Sequence, residues 1–282
     1  MKNLFLLALI LTVCSIGFAQ SDKAAKLTAE DVVAKHLASI GTPEDIAAAK
    51  TRVMVGQGIL SGKAALTGRT GGPAQIASTG NMFLLAMIFP NTLNYPYEKL
   101  AFDGKNVTVG VPAGERTDLG NFLKLKSAIL KEGLFGGTLS AGWPLLDVAG
   151  KKVKVSYSGL VELSGRKFHK LKYTSNVGDL TVSLYFEPET FRHVLSEYKY
   201  KIEAYSSGDS GVQGSVGDKS KYYSLTEQFS DYKTVGKLTL PFAYAINVTK
   251  QEEGALSSID WQIKLTDFYF NEPLTADVFK VS

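Results

Sequence analysis

The chain of 282 residues contains a single cysteine, so neither an intrachain disulfide framework nor a cysteine-rich zinc site is available to it. Its only three histidines, His36, His169 and His193, lie far apart in sequence, which argues against a histidine-built metal centre. Charge is also scarce in one sense: the formal net charge is +4, with no large basic block, so nucleic acid is not an implied partner. Phosphate-loop and dinucleotide motifs are missing. Gly56-Gln57-Gly58 lacks the third glycine and the helix that would follow it. No cofactor and no metal are expected.

The catalytic fragments that do occur are incomplete. Gly208-Asp209-Ser210-Gly211 matches the tetrad around a serine-protease nucleophile, but it sits in a Ser/Gly-rich stretch and no histidine has the matching context. Ser140 in Thr-Leu-Ser-Ala-Gly resembles a nucleophile elbow without its first glycine. Glu187 and Glu189 flank Pro188 as turn residues rather than as a glycosidase pair. The chain is therefore not expected to be an enzyme.

What is abundant is apolar and aromatic sequence, with 15 Phe, 13 Tyr and 27 Gly. Lys2, an apolar run over 4–13 and Gly17-Phe18-Ala19 before Gln20 form the pattern of a secretory signal peptide, residues 1–19. The run is shorter than the roughly 20 residues a membrane-spanning helix needs. Leu11-Thr12-Val13 lacks the small residue required before a lipidated cysteine, so anchoring through Cys14 is not expected. Periplasmic export and one domain over 20–282 follow.

Thr28 and Asp31 resemble a capping box opening a helix that Gly41 stops, and Thr42-Pro43 opens a second, shorter one. From Arg52 the period changes to two, with Val53, Val55 and Ile59 on one face. The apolar run over 82–89 reads as a strand buried on both sides, and Asp103-Gly104 as a hairpin turn. Further alternations include Val194, Tyr198 and Tyr200, then Leu238 to Val248, then Ile259 to Leu265. At Thr266-Asp267 the phase slips before Phe268 and Phe270, which predicts a β-bulge. The pattern predicts a mainly β, α+β fold: a strongly curved antiparallel sheet, an incomplete barrel capped by helices.

An apolar concave face of that size needs a cover. Residues 118–132 read as an amphipathic helix ended by Gly133, and the glycine-containing stretch after it as a mobile flap, together a cover over 118–146. A second flexible segment is expected over the loop 206–220. The candidate cavity and lid residues are Phe83, Leu85, Met87, Phe89, Phe122, Leu123, Ile129, Leu130, Phe135, Trp143, Phe242, Tyr244 and Trp261. Two readings stay open for them: the wall of a cavity for an acyl chain, at about 0.8 kcal/mol per buried methylene, or a solid core.

Four stretches resemble a known family. Tyr185-Phe186-Glu187-Pro188-Glu189-Thr190 with Phe191-Arg192-His193-Val194 is similar to a strand–turn–strand of periplasmic proteins related to the outer-membrane lipoprotein carriers (LolA/LolB type). Phe229-Ser230-Asp231-Tyr232 to Leu240-Pro241-Phe242, and Phe268-Tyr269-Phe270-Asn271-Glu272-Pro273-Leu274 to Val278-Phe279, resemble their last strands. Ala34-Lys35-His36-Leu37-Ala38-Ser39-Ile40-Gly41 looks like their first helix. The resemblance implies a helix-capped half-barrel that binds lipid acyl chains, a non-catalytic carrier for a lipid, lipoprotein acyl chain or other hydrophobic ligand, with envelope proteins as further partners. Those carriers latch a lid with an arginine. Arg52 stands at the start of the first long strand, and no role is carried over to it. The alternative is a structural or assembly component of the envelope with a filled core and a protein partner.

Overall fold

The computed structural model describes residues 27–63, 68–176, 179–202, 221–252 and 255–281. The signal peptide over 1–19 and the loop 206–220 with its Gly-Asp-Ser-Gly tetrad lie outside them. Helix α1 (Ala29–Ile40) starts at Thr28, whose hydroxyl accepts from the Asp31 amide while the Asp31 carboxylate accepts from the Thr28 amide. Helix α2 (Pro43–Ala48) has proline at its first position, where the missing N–H costs nothing.

Twelve antiparallel strands follow. They are β1 (Thr51–Lys63), β2 (Gly68–Thr79), β3 (Met82–Ile88), β4 (Tyr97–Phe102) and β5 (Val107–Val109), then β6 (Lys154–Leu163), β7 (Arg166–Thr174), β8 (Thr181–Phe186), β9 (His193–Ile202), β10 (Lys221–Val235), β11 (Leu238–Glu252) and β12 (Ala255–Phe270). They form one sheet in the order β5-β4-β3-β2-β1-β12-β11-β10-β9-β8-β7-β6. The sheet is open, with β5 and β6 as its edges. Between β5 and β6 the chain leaves the sheet and forms α3 (Asp118–Leu125), α4 (Ala128–Lys131) and two 3₁₀ turns, Gly137–Leu139 and Pro144–Asp147. This inserted segment packs on the concave face, where inner residues of most strands meet in one apolar cluster.

Two bulges set which side chains reach that cluster. Val55 pairs with Asp267 and Gly56 with Leu265, so Thr266 is the extra residue on β12, as the phase slip predicts. The bulge puts Ile259, Trp261, Ile263 and Leu265 on the same side as Phe268, which packs against the same apolar cluster. On β9, Phe186 pairs with His193 and Tyr185 with Leu195, which leaves Val194 bulged out. His193 turns inward in its place, so the expected inward Val194 is replaced by a histidine.

On β1, Val53, Val55 and Ile59 share one face as their spacing predicts, and the opposite face, with Arg52, Met54, Gly58 and Leu60, is the buried one. Two other expectations are corrected. β3 is covered on both sides only in part: Phe83, Leu85 and Met87 face the core, Leu84 lies under Phe279 of the C-terminal turn, and Ile88 is exposed. The helix expected over 118–132 breaks at Lys126 and Ser127 into α3 and α4.

Because side chains alternate across a strand, inserting one residue between Asp267 and Phe268 shifts Phe268 and Phe270 to the opposite face, whereas deleting the extra Thr266 leaves them on the face of Leu265. The insertion is expected to lower unfolding stability by about 1–3 kcal/mol, from the lost burial of two half-buried rings. Urea denaturation reads this, and an unchanged midpoint would show that the face these rings occupy does not matter to stability.

Candidate functional site

The inner face and the inserted segment 118–146 form the candidate site. The apolar contribution comes first. Leu119, Phe122, Leu123, Ile129, Leu130, Leu134, Phe135, Leu139, Trp143 and Leu145 are all buried against the sheet. The segment bridges distant strands: the Phe135 ring lies 5.7 Å from Phe83 on β3 and 6.4 Å from Tyr244 on β11. Two glycines of the stretch expected to form a mobile flap allow close approach. A Cβ on Gly136 would sit 2.6 Å from the Phe83 ring, and one on Gly137 2.8 Å from Phe229. Both have positive φ, which a side chain would resist.

Polar groups of the sheet then hold the segment at intervals. Arg52 is 1% exposed, and its Nη1 donates to the carbonyl oxygens of Thr138 at 2.6 Å and Ser140 at 3.5 Å. Burial pulls its pKa down to about 10, so it stays charged at neutral pH. Its Nε has no partner among the described residues. Beside it, the Ser78 hydroxyl accepts from the Ala141 amide at 2.9 Å.

Two buried glutamates act on other parts of the segment. Glu227 on β10 accepts from the Gly136 amide at 2.7 Å, from the Tyr198 hydroxyl at 2.7 Å and from the Tyr244 hydroxyl at 2.5 Å. Glu98 on β4 accepts from the Tyr95 hydroxyl and from the Thr117 hydroxyl at 2.9 Å. Thr117 Oγ in turn accepts from the Gly120 amide at 2.9 Å and caps α3. Burial pushes both carboxyls up to about 7, against the opposing effect of these donors.

The third anchor is aromatic. Trp143 Nε1 donates to His36 Nε2 at 3.2 Å, which leaves the His36 proton on Nδ1 to donate to the Phe191 carbonyl at 3.1 Å. The Trp143 indole also stacks on His193 with centroids 4.8 Å apart. Burial lowers His36 to about 4 and holds His193 well below the usual histidine range. His193 Nδ1 has no partner among the described residues. His193 Nε2 lies 3.2 Å from the Leu195 carbonyl oxygen and 3.1 Å from Ser196 Oγ, and Ser140 Oγ accepts from the Gly142 amide at 3.0 Å.

All the sequence-derived candidates except Phe242 lie in the one buried cluster. Phe242 is half-buried against the Phe268 ring at 4.5 Å, with Lys233 over it. Four grooves of about 350, 360, 440 and 630 Å³ open on the rim and outer surface, and Phe122 is the one candidate that reaches any of the four. Side chains of the segment pack into the interior. Arg52, Glu98, Glu227, His36 and His193, which fix the segment, were not among the sequence candidates. Their signal is a charged or imidazole residue at the inward position of an alternating strand or on the buried stripe of a helix.

The buried ionisable groups make opposite demands on pH. The glutamates, raised in the folded state, contribute stability that is complete below about pH 4.5 and lost as pH rises towards about 7. His36, depressed in the folded state, contributes stability present above about pH 6.5 and lost as pH falls towards about 4. The two slopes oppose one another in the wild type. Glu227→Gln is expected to remove one glutamate's share, on the order of 3 kcal/mol across the window. Stability measured by urea unfolding should then rise more steeply with pH between about 5 and 7 than in the wild type. Parallel pH profiles for the two proteins would contradict this.

No family model and no curated protein matches the chain. Solved structures do. A LolA superfamily protein from Nitrosomonas europaea aligns with 90% of this chain and 98% of its own, at 13% identity and a TM-score of 0.45. An outer-membrane lipoprotein-sorting protein domain from Vibrio parahaemolyticus aligns over 88% and 94%, at 11% identity and a TM-score of 0.45. A DUF1329 family protein from Desulfovibrio piger aligns over 89% and 96%, at 11% identity and a TM-score of 0.37.

Proposed function

We propose that the protein is a non-catalytic periplasmic carrier for a hydrophobic ligand, a lipid or a lipoprotein acyl chain, and that segment 118–146 is a plug occupying the ligand's place. One observation carries the reading: the concave apolar face is covered by a segment that belongs to no strand and is tied down by buried polar groups, some of them without partners among the described residues. The Arg52 cation is buried against two carbonyls with no carboxylate within ion-pair distance among the described residues, and its Nε, Thr138 Oγ1 and His193 Nδ1 are buried without partners. Each such group favours the open state, where water would satisfy it, by about 1–3 kcal/mol. An acyl chain entering the vacated space would recover the apolar burial at roughly 0.8 kcal/mol per methylene. Arg52 then serves as a releasable latch, and Phe83, Leu85, Met87, Phe89, Tyr244 and Trp261 become the ligand's wall.

The filled interior also fits a second reading, a structural or assembly component of the envelope with a protein partner. The two differ in what the protein carries. Mass spectrometry of an organic extract of protein purified from the periplasm without detergent should show a stoichiometric phospholipid or acylated species. A blank extract that persists after incubation with lipid vesicles would favour the structural component.

The plug's movement has its own test. Ser78 Oγ accepts from the Ala141 amide at 2.9 Å, so positions 78 and 141 are neighbours, and closure of a cysteine pair placed there is read by thiol titration before uptake is measured. In Ser78→Cys with Ala141→Cys, oxidation is expected to abolish uptake of a fluorescent fatty acid and reduction to restore it. Equal uptake in both states would rule the plug out as the gate.

A further inference from the structure

The two edges of the sheet are unlike. β5 spans three residues and is engaged on its way past: Lys124 Nζ donates to the Val107 carbonyl at 2.9 Å, and Thr108 Oγ1 accepts from the Val281 amide at 3.1 Å. β6 spans ten residues, none of them buried, and pairs with β7 alone. Alternate residues of an edge strand turn their N–H and C=O groups away from the sheet. Among the described residues, nothing bonds to those outward groups over 154–163. The edge is a row of open backbone donors and acceptors.

Register gives this edge two faces. Val155 and Tyr157 point inward, opposite Tyr173 and Leu171, and pack partly buried against the apolar cluster. Lys154 and Ser156 point outward, opposite Thr174 and Lys172. A bulge between Tyr157 and Leu160 then divides the strand, leaving 154–157 as one regular stretch. Lys154, Lys167 and Lys172 are exposed and have no ion pair among the described residues. Other cations of the hairpin are engaged: Lys170 lies 5.3 Å from the Tyr185 ring, and Arg166 3.5 Å from Glu187. Glu162, across from Lys167 in the register, is the one acid on the two strands.

We infer that β6 takes up an extended acidic segment of a partner protein as an added strand. The open backbone groups can pair with any extended chain, and the side chains beside them choose which one. Acidic residues on the outer side of the incoming strand meet Lys154 and Lys172. Apolar residues at the alternate positions continue the inner cluster beyond Val155 and Tyr157. A second copy is the wrong occupant, because its own β6 would bring lysine against lysine. Edge lysines refuse like edges, and the same charge favours an acidic one. The interior takes no part in this contact, so it holds whether or not segment 118–146 yields to a ligand.

The test uses a labelled peptide of the length of β6, ten residues, alternating glutamate with valine, with binding read by fluorescence anisotropy. Two controls accompany it: lysine in place of glutamate, and the glutamate peptide N-methylated at every residue, which keeps its charge but cannot donate. The glutamate peptide is expected to bind, and both controls to bind more weakly by about tenfold or more. Lys154→Glu with Lys172→Glu should weaken binding by about tenfold or more. Lys105→Glu with Lys264→Glu, the same charge change at exposed positions away from β6, should cost far less. Circular dichroism checks that both variants fold. Amide hydrogen exchange should show added protection over 154–157 with the peptide bound. Absence of binding, undiminished binding of the N-methylated peptide, unchanged exchange over 154–157 or equal loss in the two variants would overturn the proposal. Self-association through β6 in preference to the peptide would overturn the choice of partner.

Discussion

The structure depends on how one apolar surface is kept from water. A twelve-stranded sheet that curls without closing presents a concave face of aromatic and aliphatic side chains, and among the described residues no second sheet packs on it. Segment 118–146 is the cover. It puts Phe122, Ile129, Leu134, Phe135 and Trp143 into that face, and its glycines let the backbone approach the Phe83 and Phe229 rings. Without it, or without something of similar apolarity in its place, the inner face would be wet.

The cover is fixed by polar contacts that are individually poor bargains. A guanidinium facing only carbonyls, two carboxyls pushed up to about 7 and two histidines held neutral all resist burial. A purely structural core would be more stable with apolar residues at these positions. The same contacts choose one seating for the segment, since each anchors a different stretch: Glu98 its beginning, Glu227 its middle, Arg52 and the His36–Trp143–His193 stack its end. In the proposed carrier, a segment held by apolar burial plus reluctant polar anchors exchanges with an apolar ligand.

Much of this was legible from alternation and caps. Thr28 and Thr42 announce the helices, Asp103-Gly104 the hairpin, and the slip at Thr266 the bulge, because each follows from local backbone chemistry. The apolar candidates were also readable, since burial of Phe, Leu and Trp at period two needs no tertiary knowledge. The latching residues were not. On β1 the inward face reads Arg, Met, Gly, Gly, Leu, while the other face carries the valines, so alternation alone does not say which side is inward. His193 faces inward only because Val194 bulges, a consequence of pairing with β8. The glycines at 136 and 137 signalled mobility by composition, whereas their reason is crowding against rings brought from other strands.

The central claim is that segment 118–146 yields its place to an apolar ligand while the sheet stays intact. Amide hydrogen exchange, followed with and without a long-chain fatty acid, tests it most directly. The account predicts that the amides of Gly136 and Ala141, bonded to Glu227 and Ser78, lose protection on adding the fatty acid while strands β10 to β12 keep theirs. Unchanged or increased protection in the segment, with the fatty acid bound, would contradict it.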